Sequence, residues 1–557
     1  MAVVYINDQP VDIGSERLNL IQAAQKAGVF IPHYCWHPAL SVVASCRMCL
    51  VEVGEKKPDG TIAMQPRVVP ACQTPAKDAT VCLTNSEKAK NAQANTLESL
   101  LLNHPLDCPV CDKAGECKLQ DFSYGFGHST SRMVDPKNTP PNKPDIGERI
   151  SLFTDRCIMC SRCVRFTREI SGSAELMVSN RGHHSEIDIF PGEPVNNKLA
   201  GNVVDLCPVG ALANKDFLYK QRVWFLKTQA SVCAGCSTGC SIQVDHNKDV
   251  VHRIRPRENP LAQGQFICDE GRFDYAYVNG AERFDRPLSG QAFLPAGAAG
   301  QQEYLPLEPM TWENAIPAVR GELAKAAKEN GAALAGVISP MLTVEEAFLF
   351  AKFIKGLSSD ARLYLGWVPR VGKDEQFPQD RHGNPLGAVK FTIRAEKCPN
   401  RRGVEEVLKH FQGEVLGFDQ MLTDAARLEA LYLTAAYPPR LGAWLTDEQT
   451  QTLARIPLLV VQDLAPTPIS ERARFVLPAA TFAEKDGCFV NHANLAQQLH
   501  RAVRPGAIGR TEGQIFLNLL DRRGLIQAKA VREELAREVP FFAALDGNLG
   551  EFGVKLS

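Results

Sequence analysis

The sequence predicts a multidomain α+β protein, with small metal-binding domains first and an α/β domain last. Two observations carry this. Of 18 cysteines, 16 fall before residue 269, most of them in four groups at short spacing. Past residue 283 the groups stop, and strand-like and helix-like apolar patterns alternate. At 557 residues the chain exceeds what one hydrophobic core supports.

Composition excludes several classes. Apolar residues make up 45% and charged residues 22%, as in ordinary globular proteins. With 62 basic and 63 acidic residues there is no global attraction to nucleic acid or anionic lipid, so no nucleic-acid partner is expected. The start, MAVVYINDQPVDIG, lacks the basic segment and apolar core of a signal peptide. No apolar run approaches the ~18 residues of a membrane-spanning helix. The expectation is no direct membrane insertion, with any membrane association made through partners. Disulfides would need an oxidising compartment, which the missing signal argues against, so the cysteine spacing points to metal.

Taken in order, residues 2–13 read as a hairpin around Asn7-Asp8-Gln9, followed by a helix from Arg17 to Lys26 that stops at Gly28. Two strands and a helix ahead of a cysteine loop suggest a β-grasp, the ferredoxin shape. The loop supplies Cys35, Cys46 and Cys49, and Cys72 follows a strand-like MCLVEV. Three clustered cysteines with a distant fourth is the plant-type [2Fe–2S] arrangement, here with a first gap of ten residues. His33 and His37 flank Cys35, but a Rieske centre replaces two cysteines by histidines, and four cysteines are already available. Cys82, in the alternating ATVCLT, reads as a buried strand thiol.

A helix over Ser86–Asn103 leads into HPLDCPVCDKAGEC, which places His104, Cys108, Cys111 and Cys117 in a loop opened by Pro105. Alone, this set suits either zinc or an iron–sulfur cluster. After a Pro-rich linker (residues 135–147) comes RCIMCSRC, with Cys157, Cys160 and Cys163 at the spacing bacterial ferredoxins use for three corners of a [4Fe–4S] cube. Cys207-Pro208 supplies the expected distant fourth corner. The last group is Cys233, Cys236 and Cys240 with Cys268, for which a zinc ribbon is the alternative. The neighbouring HRIRPR (residues 252–257) reads as a solvated or cluster-facing strand.

Beyond residue 283, strand-like AALAGVIS (332–339) precedes a helix with a capping box, Thr343 to Glu346, and an apolar face of Phe348, Phe350, Ala351 and Ile354. ALYLTAA (430–436) and IPLLVVQDL (456–464) are further buried strands of a mostly parallel sheet. There is no P-loop and no G-x-G-x-x-G. Cys398 and Cys488 stand alone and read as structural, and Arg401-Arg402 and Arg522-Arg523 read as surface.

The order of these motifs resembles the large (G-type) iron–sulfur subunit of bacterial NADH–quinone oxidoreductase, respiratory complex I, over about residues 1–280. The remainder resembles a molybdopterin-oxidoreductase domain, most clearly in FVLPAATFAEKDGCFVN (475–491). That region is shorter than is usual in the family, and Cys488 stands where a threonine is common. The resemblance implies five domains: a β-grasp [2Fe–2S] domain (1–84), a His/Cys3 [4Fe–4S] domain (85–142), a ferredoxin-like [4Fe–4S] domain (143–225), a fourth [4Fe–4S] segment (226–282) and a shortened α/β domain without cofactor (283–557).

It also implies one [2Fe–2S] and three [4Fe–4S] clusters, with no molybdenum or pterin. Electrons from NADH and a flavin on a partner subunit would enter at the Cys35/Cys46/Cys49/Cys72 set and pass to the Cys157/Cys160/Cys163/Cys207 set. They would then reach the His104/Cys108/Cys111/Cys117 set and leave to a downstream iron–sulfur subunit. The Cys233/Cys236/Cys240/Cys268 set would lie off this path. The chain would carry no complete active site and would sit on the cytoplasmic side of the membrane, held by its partners. Three rivals remain: an [FeFe]-hydrogenase, which should carry further ferredoxin runs; an NAD-dependent molybdenum formate dehydrogenase; and a zinc scaffold.

Overall fold

The structure, a computed structural model, describes residues 2–290, 306–506 and 509–557. It divides into two compact units, one of residues 1–226 with 377–390, the other of residues 227–376 with 391–557.

In the first unit a hairpin joins strands Ala2–Ile6 and Gln9–Gly14. Asn7 and Asp8 both take positive φ (47° and 68°), the backbone a tight two-residue hairpin turn requires. Strand Ala2–Ile6 pairs in parallel with Thr80–Leu83, which pairs antiparallel with Leu50–Lys56. Helix Leu20–Lys26 starts three residues later than the sequence pattern suggests. The cause is Asn19, whose side chain accepts from Gln22 N–H while Gln22 reaches back to Asn19 N–H, so the reciprocal cap fixes the first turn there. Leu20, Ile21, Ala23 and Ala24 pack with Val4, Ile6, Val11, Ile13 and Cys82 into one core. Fully burying Leu20 and Ile21 contributes about 1.5–3 kcal/mol each. Beyond this sheet the unit consists of short pieces: helices Glu87–Leu101 and Lys118–Phe126, then five-residue helices Arg162–Phe166 and Asn202–Leu206 between cysteine loops.

The second unit begins with a three-stranded antiparallel sheet, Lys227–Val232, Ser241–Asn247 and Val250–Pro256. Arg253 and Arg255 on the last strand both pair with Asp245, which is fully buried. The alternating basic strand is thus ion-paired rather than solvated. The unit's centre is a seven-stranded sheet in which Phe475–Pro478, Leu458–Asp463, Ala430–Thr434, Leu334–Ile338 and Arg362–Leu365 run parallel in that spatial order. Alternate residues feed two separate cores: Leu334, Ile338, Tyr432 and Val460 on one face, Ala335, Val337, Leu431 and Val461 on the other.

Helix Val344–Leu357 carries the expected capping box, Thr343 with Glu346. Its approach to the sheet requires Gly336, where a Cβ would lie 2.8 Å from Phe350 and 2.9 Å from Ile354. Arg401 and Arg402 are half-buried and paired with Glu396, Glu405 and Glu406, and Arg522 pairs with Glu534, so of the four arginines assigned to the surface only Arg523 is plainly exposed. Among the described residues no helix is long and apolar enough to cross a membrane.

In open parallel sheets ligands bind outside the carboxyl ends of the strands. Here side chains occupy that end. The Tyr437 hydroxyl lies 3.0 Å from where a Cβ on Gly366 would be and donates to the Trp367 carbonyl at 2.8 Å. The Tyr437 ring packs on Trp367 and Trp444 at 5.3 Å each. Asp463, 3% exposed, accepts from Leu464 N–H at 2.8 Å and Ala436 N–H at 3.3 Å.

Burial pushes the Asp463 carboxyl up from 3.8 to about 7. For an acid raised on folding, the folded state holds its proton more tightly, so stability is full below about pH 4 and falls as pH rises toward about 7. Asp463→Asn removes this titration. Denaturant midpoints followed by tryptophan fluorescence should therefore fall less with pH in the variant, by the order of 4 kcal/mol across the window. Parallel pH profiles for the two proteins would refute the assignment.

Candidate iron–sulfur centres

Cys35 lies in the irregular segment between helix Leu20–Lys26 and strand Leu50–Lys56, and Cys46 follows Ala44, which has positive φ (51°). The thiols of Cys35, Cys46, Cys49 and Cys72 converge. Cys35 touches Cys46 and Cys72, Cys49 touches Cys72, and Cys35 N–H lies 3.5 Å from the Cys46 sulfur. Hydrogen bonds from neighbouring thiols hold the Cys35 and Cys49 sulfurs below their ordinary range, while the same contacts and burial raise Cys46 and Cys72. Four buried sulfurs brought together in this way form a donor set that a metal core could take up. His33 stays turned to the backbone, Nδ1 on the Ile31 carbonyl at 2.7 Å, and burial lowers it to about 4. Cys82 is fully buried in its strand, and burial alone raises it to about 12.

The Cys157–Cys163 loop is wrapped by two left-handed residues, Met159 and Ser161. Cys157, Cys160 and Cys163 line one cavity with Cys207, walled by Leu152, Ile158, Ile187 and Leu212. Burial pushes Cys160 up to about 11 and Cys163 well above its usual value.

In the His104 set, Cys111 and Cys117 are buried and Cys108 exposed. His104 Nδ1 is buried with no hydrogen-bond partner, and burial lowers the ring to about 4, which leaves a neutral imidazole with a free nitrogen. Burial lifts Cys117 to about 11. Arg222 clamps this loop by donating to the carbonyls of Cys108, Pro109 and Cys111.

The second and third sets adjoin. Arg156, next to Cys157, pairs with Asp107, next to Cys108, at 2.9 Å. Lys118 N–H donates to the Pro208 carbonyl at 3.1 Å. A Cβ on Gly210, in the loop after Cys207, would lie 2.2 Å from the Cys111 sulfur. None of Arg156, Arg222 or Gly210 is marked by spacing, because each acts across more than 45 residues of chain.

In the second unit, Cys233, Cys236, Cys240 and Cys268 are buried and act on one another electrostatically. Burial raises Cys233 to about 11 and Cys268 to about 12. Cys268 also caps helix Asp269–Phe273 through Gly271 N–H at 3.4 Å. Lys397 and Arg440 stand beside this set, both paired with Glu270, and Arg440 also with Asp274. Cys398 and Cys488 are fully buried.

Among the described residues no three His, Cys, Asp or Glu side chains gather closely enough for a single bare ion. An iron–sulfur core, by contrast, is several atoms across. The donor chemistry fits such cores: four groups of soft ligands, desolvated, with one unpartnered imidazole nitrogen.

Donor sets of this kind on small domains define an iron–sulfur protein, and family models agree. A "2Fe-2S iron-sulfur cluster binding domain" matches residues 3–87 and an "NADH-ubiquinone oxidoreductase-G iron-sulfur binding region" matches 93–132. An "NADH-quinone oxidoreductase subunit 3, ferredoxin-like domain" matches 147–213 and a "Molybdopterin oxidoreductase Fe4S4 domain" matches 226–280. "Molybdopterin oxidoreductase" matches 431–522.

Over part of its length the chain is similar to proteins named as the G subunit of NADH–quinone oxidoreductase. It is 35% identical over 350 residues to the G subunit of Mycobacterium bovis, a match covering 62% of this chain and 40% of the relative. The G subunit of Rickettsia bellii is 33% identical over 355 residues, covering 64% and 48%. The "NADH-ubiquinone oxidoreductase 75 kDa subunit" of Reclinomonas americana is 34% identical over 365 residues, covering 66% and 49%. The matches thus span less than half the length of these relatives. Among solved structures, a chain of an NAD+-reducing [NiFe]-hydrogenase in the H2-reduced state is 27% identical, covering 40% of this chain and 91% of that one, with a TM-score of 0.35.

Two glycines clear space for sulfur. Gly210→Ala would drive a methyl into Cys111, and Gly271→Ala would place one 2.9 Å from the Cys233 sulfur. Each should lower the iron content of the purified chain. Gly321→Ala, which meets nothing within 4 Å, should leave it unchanged. Iron and acid-labile sulfide assays read the result; full iron in Gly210→Ala would contradict the crowding.

Proposed function

We propose that this chain is an electron-relay subunit of an NADH–quinone oxidoreductase, taking electrons from NADH by way of a flavin on a partner subunit and passing them toward quinone. The supporting observation is the lacing of three ligand sets within one unit. Residues flanking the Cys35 set bond to those flanking the Cys160 set, and these in turn bond to those flanking the Cys111 set. We assign Cys35, Cys46, Cys49 and Cys72 to a [2Fe–2S] cluster. [4Fe–4S] clusters go to His104 with Cys108, Cys111 and Cys117, to Cys157, Cys160, Cys163 and Cys207, and to Cys233, Cys236, Cys240 and Cys268. When bound, the clusters would supply one-electron exchange, with the Cys35 set as the point of entry, the Cys157 set as the relay and the His104 set as the exit.

The chain's own residues hold the centres and exclude water. His104, neutral where the other ligands are thiolates, removes one negative charge from its centre, which by itself raises the potential. The exposure of Cys108 beside buried Cys111 and Cys117 gives that centre an open side for a downstream iron–sulfur subunit. In this reading the chain sits on the cytoplasmic side of the membrane, peripheral and held by those partners. A pterin is not expected, because Tyr437, Trp444, Trp367 and Asp463 fill the end of the sheet where a ligand would lie.

Two measurements test this. Anaerobically purified protein should carry about fourteen irons per chain, from one two-iron and three four-iron clusters, with matching sulfide and no molybdenum. Molybdenum near one per chain would instead favour the formate dehydrogenase reading, and stoichiometric zinc with about ten irons would reassign the Cys233 set. In the assembled complex, Cys160→Ala should abolish NADH-to-quinone transfer while the flavin subunit still reduces an artificial acceptor. Cys236→Ala should lower assembly but leave turnover per assembled complex nearly intact. Normal assembly with lost turnover would put the fourth set on the path.

A further inference from the structure

Arg162 and Arg165, on the short helix Arg162–Phe166, are 4% and 8% exposed. Arg162 donates from Nη2 to the Trp36 carbonyl and from Nη1 to the Leu206 carbonyl at 3.3 Å. It therefore ties the residue after Cys35 to the residue before Cys207. Arg165 donates from Nη2 to the Cys35 carbonyl at 2.6 Å and the Cys160 carbonyl at 3.2 Å, and from Nη1 to the Ser41 carbonyl. A single nitrogen thus bridges a proposed ligand of the two-iron centre to one of the four-iron centre.

The partners of these two guanidiniums are carbonyl oxygens, whereas Arg156 nearby has Asp107. Arg162 Nε, in addition, is buried with no hydrogen-bond partner. A buried cation is costly unless an anion balances it. For Arg162 the anions at hand are sulfur: the Cys160, Cys35 and Cys46 thiols all act on it electrostatically; Glu169, near Arg165, instead accepts from Ser41 N–H and Oγ. A thiolate-ligated core is an anion, and each electron it accepts makes it more negative. A fixed cation beside it therefore stabilises the reduced form more than the oxidised form and raises the midpoint potential.

We propose that Arg162 and Arg165 are positioning residues that fix the Cys35 and Cys157 sets against each other and, as the uncompensated charge between them, raise both midpoint potentials together. This rests on the assignment of clusters to those two sets. Arginine suits both roles, because it stays charged when desolvated and its planar fork reaches two carbonyls at once.

The test is redox titration of the purified complex followed by electron paramagnetic resonance, with iron and sulfide measured for every variant. Arg162→Gln and Arg165→Gln should keep their iron and lower the midpoints of the two-iron signal and the Cys157-set signal. The expected loss is at least tenfold in each one-electron equilibrium constant, about 59 mV. The midpoint of the His104-set signal should move less. Arg162→Lys and Arg165→Lys should restore most of the shift. Retained iron with unmoved midpoints overturns the proposal.

Should the glutamine variants lose iron, the lysine variants decide. Iron kept with near-native midpoints supports the charge. Iron kept with a tenfold loss assigns the effect to the carbonyl bonds, and iron lost in lysine variants too makes the guanidiniums purely architectural; either overturns the charge role. Absence of both signals in the unmutated complex would sink the cluster assignment itself, a separate failure.

Discussion

The first unit depends on the cost of burying sulfur. Its three four-ligand groups are largely out of water, and burial, with a smaller contribution from a neighbouring thiol, pushes Cys117 and Cys160 up to about 11. Without a cationic core such sulfurs are thiols with no strong partner; with one they become thiolates, and protons are released as metal binds. The local backbone follows from the same requirement. Helices Arg162–Phe166 and Asn202–Leu206 are far below the length at which a helix holds itself in water. Left-handed Met159 and Ser161 lie between the ligands. Such a segment has little regular structure of its own.

Cations set the two units apart. Arg440 and Lys397, beside the Cys233 set, act on its sulfurs but are also paired with carboxylates, Glu270 for both and Asp274 for Arg440. Arg162 and Arg165 face carbonyl dipoles. Arg156 is intermediate, with the partly exposed Asp107. Sets identical on paper, four cysteines each, therefore sit in different fields, and ligand identity alone does not fix their potentials.

What was legible in the sequence was local. Ligand spacing, the Thr343–Glu346 capping box, the buried strands at 430–434 and 458–463 and the strand thiol Cys82 all rest on periodicities of a few residues. The misses are of two kinds. Helix Leu20–Lys26 begins late because Asn19 outcompetes an apolar pattern that reaches further back. The rest are long-range. The partners of Arg162 and Arg165 in the first cysteine loop lie 124 to 130 residues away, and the close approach of Gly210 to Cys111 spans the linker. Residues 377–390 grouping with the amino-terminal unit had no sequence signal at all. Arg401-Arg402, taken for surface, is half-buried because Glu396, Glu405 and Glu406 stand within its reach.

The Cys233 loop is built into its unit in a way that makes it structural whether or not it carries electrons. Ser241 Oγ and Asn259 Nδ2 both donate to the Gln497 side-chain oxygen, at 2.7 and 2.9 Å, while Gln497 Nε2 donates to the Gly239 carbonyl at 2.6 Å. Asn491 Nδ2 reaches the Thr238 carbonyl at 2.9 Å, and His492 N–H the Ser237 carbonyl at 3.0 Å. These partners sit on or beside strands Gly487–Val490 and Leu495–Leu499, which pack into the same core as helix Val344–Leu357. Buried polar groups of this kind are costly once unpaired. A shift of this loop would strand several of them at once, next to the main core of the α/β unit. The loop that carries Cys236 and Cys240 is thus held by side chains more than 230 residues away in the sequence.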